Sequence, residues 1–169
     1  MIPRIVVVAV AGLLAATVYP ASKPVSVELK DAKGASVGTA TLSDSKGGVK
    51  IKASFKNLPP GDHALHIHSV AKCEPPFTTA GGHFNPDMKK HGVQNPDGPH
   101  AGDMPNFKAT AKGTAKVSLV NSHVNMDDDA HSIFANGGTA LVIHEKADDF
   151  KTDPAGNAGA RIACGVITK

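Results

Sequence analysis

The stretch from Leu65 to Asp103, LHIHSVAKCEPPFTTAGGHFNPDMKKHGVQNPDGPHAGD, constrains what this chain can fold into more than any other segment. It opens on a strand-like Leu65-His66-Ile67-His68. It then runs toward Phe107 through five glycines and six prolines, with no regular element readable in it. A structureless loop of that length is uncommon in a compact domain and usually carries function. This one carries His66, His68, His83, His91 and His100 and closes on Asp103. Five imidazoles and a carboxylate on an otherwise shapeless loop point to metal ions as what holds it in one conformation.

The rest of the chain reads as strands. Val25 to Leu29 alternates apolar and polar residues, as do Val37 to Ser43 and Val49 to Phe55, with Lys46-Gly47-Gly48 as a hairpin signal between the last two. Pro59-Pro60-Gly61-Asp62 breaks the pattern before a strand over Ala64 to His68. Further strands are expected over Gly113 to Val120, Thr139 to Ile143 (ending at His144) and Ala160 to Ile167. No segment sustains a helical apolar period over ten positions, and short strands separated by Gly/Pro turns predict one all-β sandwich or barrel. Asp127-Asp128-Asp129 reads as a solvated turn.

At the N-terminus Arg4 precedes an apolar run from Ile5 to Ala16, followed by small residues. This is the layout of a secretory signal, and the run is short for a membrane span of roughly 20 residues. We therefore expect residues 1–21 to be a signal peptide and 22–169 the folded domain, exported to a periplasmic or extracellular space without stable membrane association after processing. The formal charge of +3 falls by one when Arg4 is removed, and no basic run interleaved with aromatics occurs, which argues against a nucleic-acid partner. Two cysteines, Cys73 and Cys164, form either one disulfide or two buried thiols. In an exported chain the even count favours the disulfide.

Strand geometry makes His66 and His68 project to one side while Leu65 and Ile67 project to the other, so the first two form a chelating pair. With thiolates committed elsewhere, imidazole donors suit zinc, copper, iron or nickel. His66 and His68 with His144, from a distant strand, give an all-nitrogen set of the kind copper favours. His100 and Asp103 add an oxygen donor that zinc accepts. Two four-coordinate centres need one more ligand than His66, His68, His83, His91, His100, Asp103 and His144 supply, so one imidazole has to be shared. Composition does not say which.

The runs His66-Ile-His68, GGHFNP from Gly81 to Pro86, Lys90-His-Gly92, GPHAGD from Gly98 to Asp103, LVIHEKADD from Leu141 to Asp149 and GNAGARIACGV from Gly156 to Val166 closely resemble copper,zinc superoxide dismutase. They occur together, in order, from about Val25 to Ile167. The resemblance implies a flattened eight-stranded Greek-key β-barrel with long metal-binding and channel loops. It also implies an oxidoreductase that turns superoxide into dioxygen and hydrogen peroxide by cycling copper between Cu(II) and Cu(I), beside a structural zinc. By the same resemblance His66, His68 and His144 bind copper, His83 bridges and handles a proton, and His91, His100 and Asp103 complete the zinc site. Asp148 links a ligand of each metal, Cys73 and Cys164 are disulfide-bonded, and Arg161 stands at the mouth of the copper channel.

Two connections, His68 to Cys73 and Asp149 to Gly156, are shorter than in common animal and plant forms and resemble bacterial secreted ones. No steering role is carried over to Lys146, Lys151 or Asp153, and the contacts of a homodimer, an arrangement the resemblance allows, are not carried over either. His63 is expected to be structural, and His123 and His131 to face solvent. A metal carrier without turnover and a zinc-only structural domain are the rival readings. The first predicts metal uptake with no superoxide loss, the second indifference to the loss of His66 or His68.

Overall fold

The computed structural model describes residues 22–169, so the expected signal peptide lies outside the described residues. Nine strands follow in chain order: β1 (Val25–Asp31), β2 (Ser36–Ser45), β3 (Gly48–Phe55), β4 (Gly61–His63), β5 (Leu65–His68), β6 (Phe107–Ala109), β7 (Ala115–Asn121), β8 (Thr139–His144) and β9 (Arg161–Ile167). The only described helices are single 3-10 turns at Thr78–Ala80 and Ala135–Gly137. Among the described residues no helix is long and apolar enough to cross a membrane.

Seven strands form one antiparallel sheet in the order β5-β8-β9-β1-β2-β3-β7, and β4 pairs with β6 in a second, two-stranded one. Because β4 runs into β5 and β6 packs beside β7, the small sheet joins the two edges of the large one. Closing the edges in this way leaves few unpaired strand groups exposed. The expected flattened all-β barrel with long loops is therefore what forms, with a different strand count. At Ala64 the backbone turns from β6 toward β8: Ala64 N–H donates to Lys146 O, and Ala64 O accepts from His144 N–H. The strand expected over Ala64 to His68 thus forms as β5, while β4, in the stretch read as a break, and β6 are elements the sequence reading missed. Three residues are too few to show an alternating pattern.

Alternation explains the core. Val27 and Leu29 of β1, Ala40 and Leu42 of β2, Val49, Ile51 and Phe55 of β3 and Leu65 and Ile67 of β5 all turn into one cluster, while Glu28, Thr39, Thr41 and Lys52 stay outside. All six residues of β8 are buried. Its Leu141 and Ile143 enter the main core. On the other face Ala140 and Val142 meet Phe77, Ala80 and Cys164 in a smaller cluster. That second cluster is how the start of the long loop is laid against the sheet.

A disulfide joins Cys73 to Cys164, with Cα atoms 5.6 Å apart, so the loop is also tied covalently to β9. Closing a loop of about 90 residues should stabilise the fold by roughly 4–5 kcal/mol in the chain-entropy model. Replacing both cysteines by serine should lower the urea midpoint of the metal-free chain by a corresponding amount. An unchanged midpoint would show that the bond contributes nothing to stability.

Candidate metal centre

β5 is the root of the site. His66 and His68 share one side of the strand while Leu65 and Ile67 enter the core, but all four are fully buried, since the loop folds back over the histidine side. Backbone bonds fix that return. Ile67 N–H donates to Gly102 O (3.0 Å), Gly102 N–H to Phe84 O (2.8 Å) and Phe84 N–H to Ile67 O (2.8 Å), closing a ring over three segments. The approach requires glycine, because a Cβ on residue 102 would lie 2.1 Å from Ile67 O. Beside this ring, His68 and His83 form an isolated antiparallel bridge, which delivers the third histidine to the first two.

The ring nitrogens then sort into inner and outer ones. His66 Nε2 lies 3.0 Å from Asp148 Oδ2, His68 Nδ1 2.9 Å from Gly81 O and His144 Nδ1 3.4 Å from Gly159 O. Each of those oxygens accepts, so each outer nitrogen carries the hydrogen and the inner one keeps a lone pair. The inner atoms are His66 Nδ1, His68 Nε2 and His144 Nε2, the last two 3.3 Å apart. Ligand atoms of His66, His68, His83 and His144 all fall within 4.8 Å of one another.

A second group, His83, His91, His100 and Asp103, meets the same 4.8 Å limit. Asp103 Oδ1 faces three rings: His83 Nδ1 at 2.8 Å, His91 Nδ1 at 3.1 Å and His100 Nδ1 at 3.4 Å. The last of these has no hydrogen-bond geometry. Oδ2 is held by the Gly92 and His100 backbone N–H groups, at 2.8 and 3.0 Å. His83 belongs to both groups. Its Nδ1 is hydrogen-bonded to Asp103 of the second group, and its Nε2 is buried with no hydrogen-bond partner. Geometry therefore singles out the shared imidazole where composition could not.

A third convergence, His66, His91 and Asp148, is a hydrogen-bonded fork. Asp148 Oδ2 accepts from His66 Nε2, and Oδ1 accepts from His91 Nε2 at 2.9 Å. The carboxylate itself is fixed by residues that no motif reading pointed to. Asn106 donates to Asp148 O and accepts from Asp148 N–H, both at 2.9 Å, and Phe150 N–H donates to Oδ1 at 2.6 Å. The Asn106 contacts span 42 positions and involve backbone, so local sequence carries no signal of them.

Burial and charge set the protonation states. Burial, and then the neighbouring rings, pushes His68 well below its usual value and His144 down to about 3. Burial lowers His83 to about 4, against the pull of Asp103. These three rings are neutral at pH 7, the form that binds metal. Burial also disfavours charge on His91, but Asp103 and Asp148 on its two nitrogens outweigh it and raise the ring to about 9. Asp148 and Asp103 themselves lie well below the carboxylate range, since hydrogen bonds from the rings exceed the cost of burying them.

The donor set fits a metal pair. His66 Nδ1, His83 Nε2 and His100 Nδ1 are buried without a hydrogen-bond partner, a costly state for a ring nitrogen unless its lone pair serves a cation. Arg161 stands beside the first group: its two terminal nitrogens donate to Phe77 O and Gly81 O, both at 2.6 Å, and Gly81 O also holds His68. Asp153, to which no steering role was carried over, accepts from the His91 backbone N–H at 2.8 Å. His63 lies elsewhere, with its nitrogens 2.8 Å from His144 O and Pro59 O. His123 is exposed, and His131 is half-buried with Nε2 3.1 Å from Asp87.

A family model described as copper/zinc superoxide dismutase (SODC) matches residues 36–167. Superoxide dismutase [Cu-Zn] 1 of Aquifex aeolicus is 52% identical over 143 residues, covering 83% of this chain and 85% of that one. Among solved structures, a SOD-like protein from Bacillus subtilis superposes with a TM-score of 0.81 at 39% identity, over 83% of this chain and 96% of that one. The Cu/Zn superoxide dismutase of Brucella abortus does so with a TM-score of 0.71 at 30% identity, over 86% and 99%.

Asp148→Asn leaves a single acceptor oxygen for two rings, one from each group, and should weaken divalent-metal binding by about 10–100-fold, the usual effect of losing such a partner. The group containing His66 should suffer more, because His91 keeps Asp103 on its other nitrogen. Chelator competition measures both affinities, and two unaltered values would remove Asp148 from this role.

Proposed function

The chain belongs to the copper/zinc superoxide dismutase family, and on that basis we propose how its histidines divide the work: His66, His68 and His144 hold copper, His91, His100 and Asp103 hold zinc, and His83 serves both. The reaction consumes two superoxide anions and two protons and yields dioxygen and hydrogen peroxide. Copper supplies the one-electron chemistry by alternating between two oxidation states, and zinc, which has none, supplies fixed positive charge. Donor chemistry supports the division. One group offers nitrogen alone, whereas the other includes the Asp103 oxygen.

The observation that carries the assignment is the contrast between the two nitrogens of each ring. Outer nitrogens are pinned by Asp148, Gly81 O and Gly159 O, while inner ones such as His66 Nδ1 and His83 Nε2 are buried with nothing to bond. His83 is the ring common to both groups and its Nε2 has no hydrogen-bond partner, so that Nε2 is the atom assigned to hold a proton and hand it to the departing product. Arg161 orients the anion. Its guanidinium is fixed by Phe77 O and Gly81 O, and it shares Gly81 O with His68. Burial of the clusters keeps water away from the inner nitrogens, and in such a setting each charge acts more strongly than in solvent.

We also assign residues 1–21 as an export signal and the periplasm or an extracellular space as the destination. The Cys73–Cys164 disulfide supports this, since such bonds persist in oxidising compartments.

Reconstituting the chain with copper and zinc and following superoxide loss tests the assignment. Wild type should turn over at a rate that falls with added salt, as expected for an anion attracted through a cationic approach. Arg161→Glu should lower kcat/KM by at least about 10-fold, within the range electrostatic steering spans, at unchanged metal content. His144→Ala should lose copper and turnover together. Full activity in either variant would break the corresponding assignment.

A further inference from the structure

The geometry points to Gly156 as a positioning residue whose missing Cβ is the space that holds the Asp148 carboxylate against His91, and so aligns one histidine of each metal group. This rests on the reading that the two groups bind metal. A Cβ at Gly156 would lie 1.8 Å from Asp148 Oδ1, 2.6 Å from Asp148 Cγ and 2.7 Å from His91 Nε2. Those atoms are one hydrogen-bonded pair, Oδ1 to Nε2 at 2.9 Å. At Gly102 the glycine admits a backbone carbonyl; here it admits the link between the two metal groups.

Neither side can withdraw. The backbone of Gly156 is held from both directions: its N–H donates to Thr152 O at 2.6 Å, and its O accepts from Asp149 N–H at 2.9 Å. Asp149 in turn binds the Thr152 hydroxyl and the Asn157 amide. On the opposite side Asp148 is clamped by Asn106 and by Phe150 N–H, so its carboxylate yields only by releasing His66 or His91. Backbone conformation is not the reason for glycine. Its φ is +62°, and in the same loop Phe150 and Asn157 adopt +63° and +53° with side chains attached. What excludes a side chain at this position is the collision itself.

The test uses the full chain, with zinc and copper affinities measured by chelator competition and the visible spectrum of Co(II) in the zinc group as a report on His91. Gly156→Ala should lower both affinities about 10–100-fold, as loss of a ligand-orienting partner does, and alter the Co(II) spectrum. Gly137→Ala, at φ +88° with nothing within 4 Å of its Cβ, carries the backbone cost alone and should change neither. In an Asp148→Ala background, Gly156→Ala should add nothing, because the carboxylate it would strike is gone and His91 Nε2, no longer held by that carboxylate, is free to turn away from the Cβ. Unchanged affinities and spectrum in Gly156→Ala, or effects that add in the double variant, overturn the inference. If Gly156→Ala alone does not fold, the double variant decides: folding and metal binding equal to Asp148→Ala support the inference, and failure to fold overturns it. If Asp148→Ala leaves both affinities intact, it is the metal assignment that fails.

Discussion

Imidazole lone pairs gathered within 4.8 Å of one another, away from water, repel unless a cation lies among them, and the structure is arranged around that constraint. Every ring in the first group has its outward nitrogen committed to an oxygen, that of the shared His83 being Asp103 Oδ1, which dictates the tautomer and aims the other nitrogen inward. Burial then keeps His68, His83 and His144 neutral. The second group differs because two carboxylates lie on His91 and favour positive charge there. Two neighbouring clusters built from similar residues thus present different fields, a distinction well matched to one ion that changes charge and one that does not.

A loop with no regular structure of its own needs many anchors to hold such atoms in place. Here the anchors are spread over the whole chain: the ring of backbone bonds at Ile67, Phe84 and Gly102, the His68–His83 bridge, the packing of Phe77 on β8 and the disulfide to β9. From the other side Asn106, Asp153 and the tight turn at Gly156 fix Asp148 and His91. Each is modest alone. Together they hold the ligand set in one arrangement.

The strands were readable because alternation has a period that survives without context. Val25–Leu29, Val49–Phe55 and Thr139–Ile143 sit where the pattern placed them. The pattern failed where an element is too short: β4 and β6 have three residues each. It placed His66 and His68 on one side of β5, and that parity was right, but the loop covers that face, and no local signal reports a cover arriving from 15 or more residues away.

What the residues alone determined was the chemistry: an all-β scaffold, a donor set of six imidazoles and a carboxylate one short of two full sites, and two cysteines able to pair. Donor type and strand period are properties of residues and their immediate neighbours, so they can be read in one dimension. The resemblance named His83 as the bridge and Asp148 as the link, but only the tertiary structure brings His83 into both groups, sets Asp148 between them and shows Asn106 and Gly156 holding it there. Those facts depend on distances between atoms far apart in the chain, and such distances exist only once the barrel has closed.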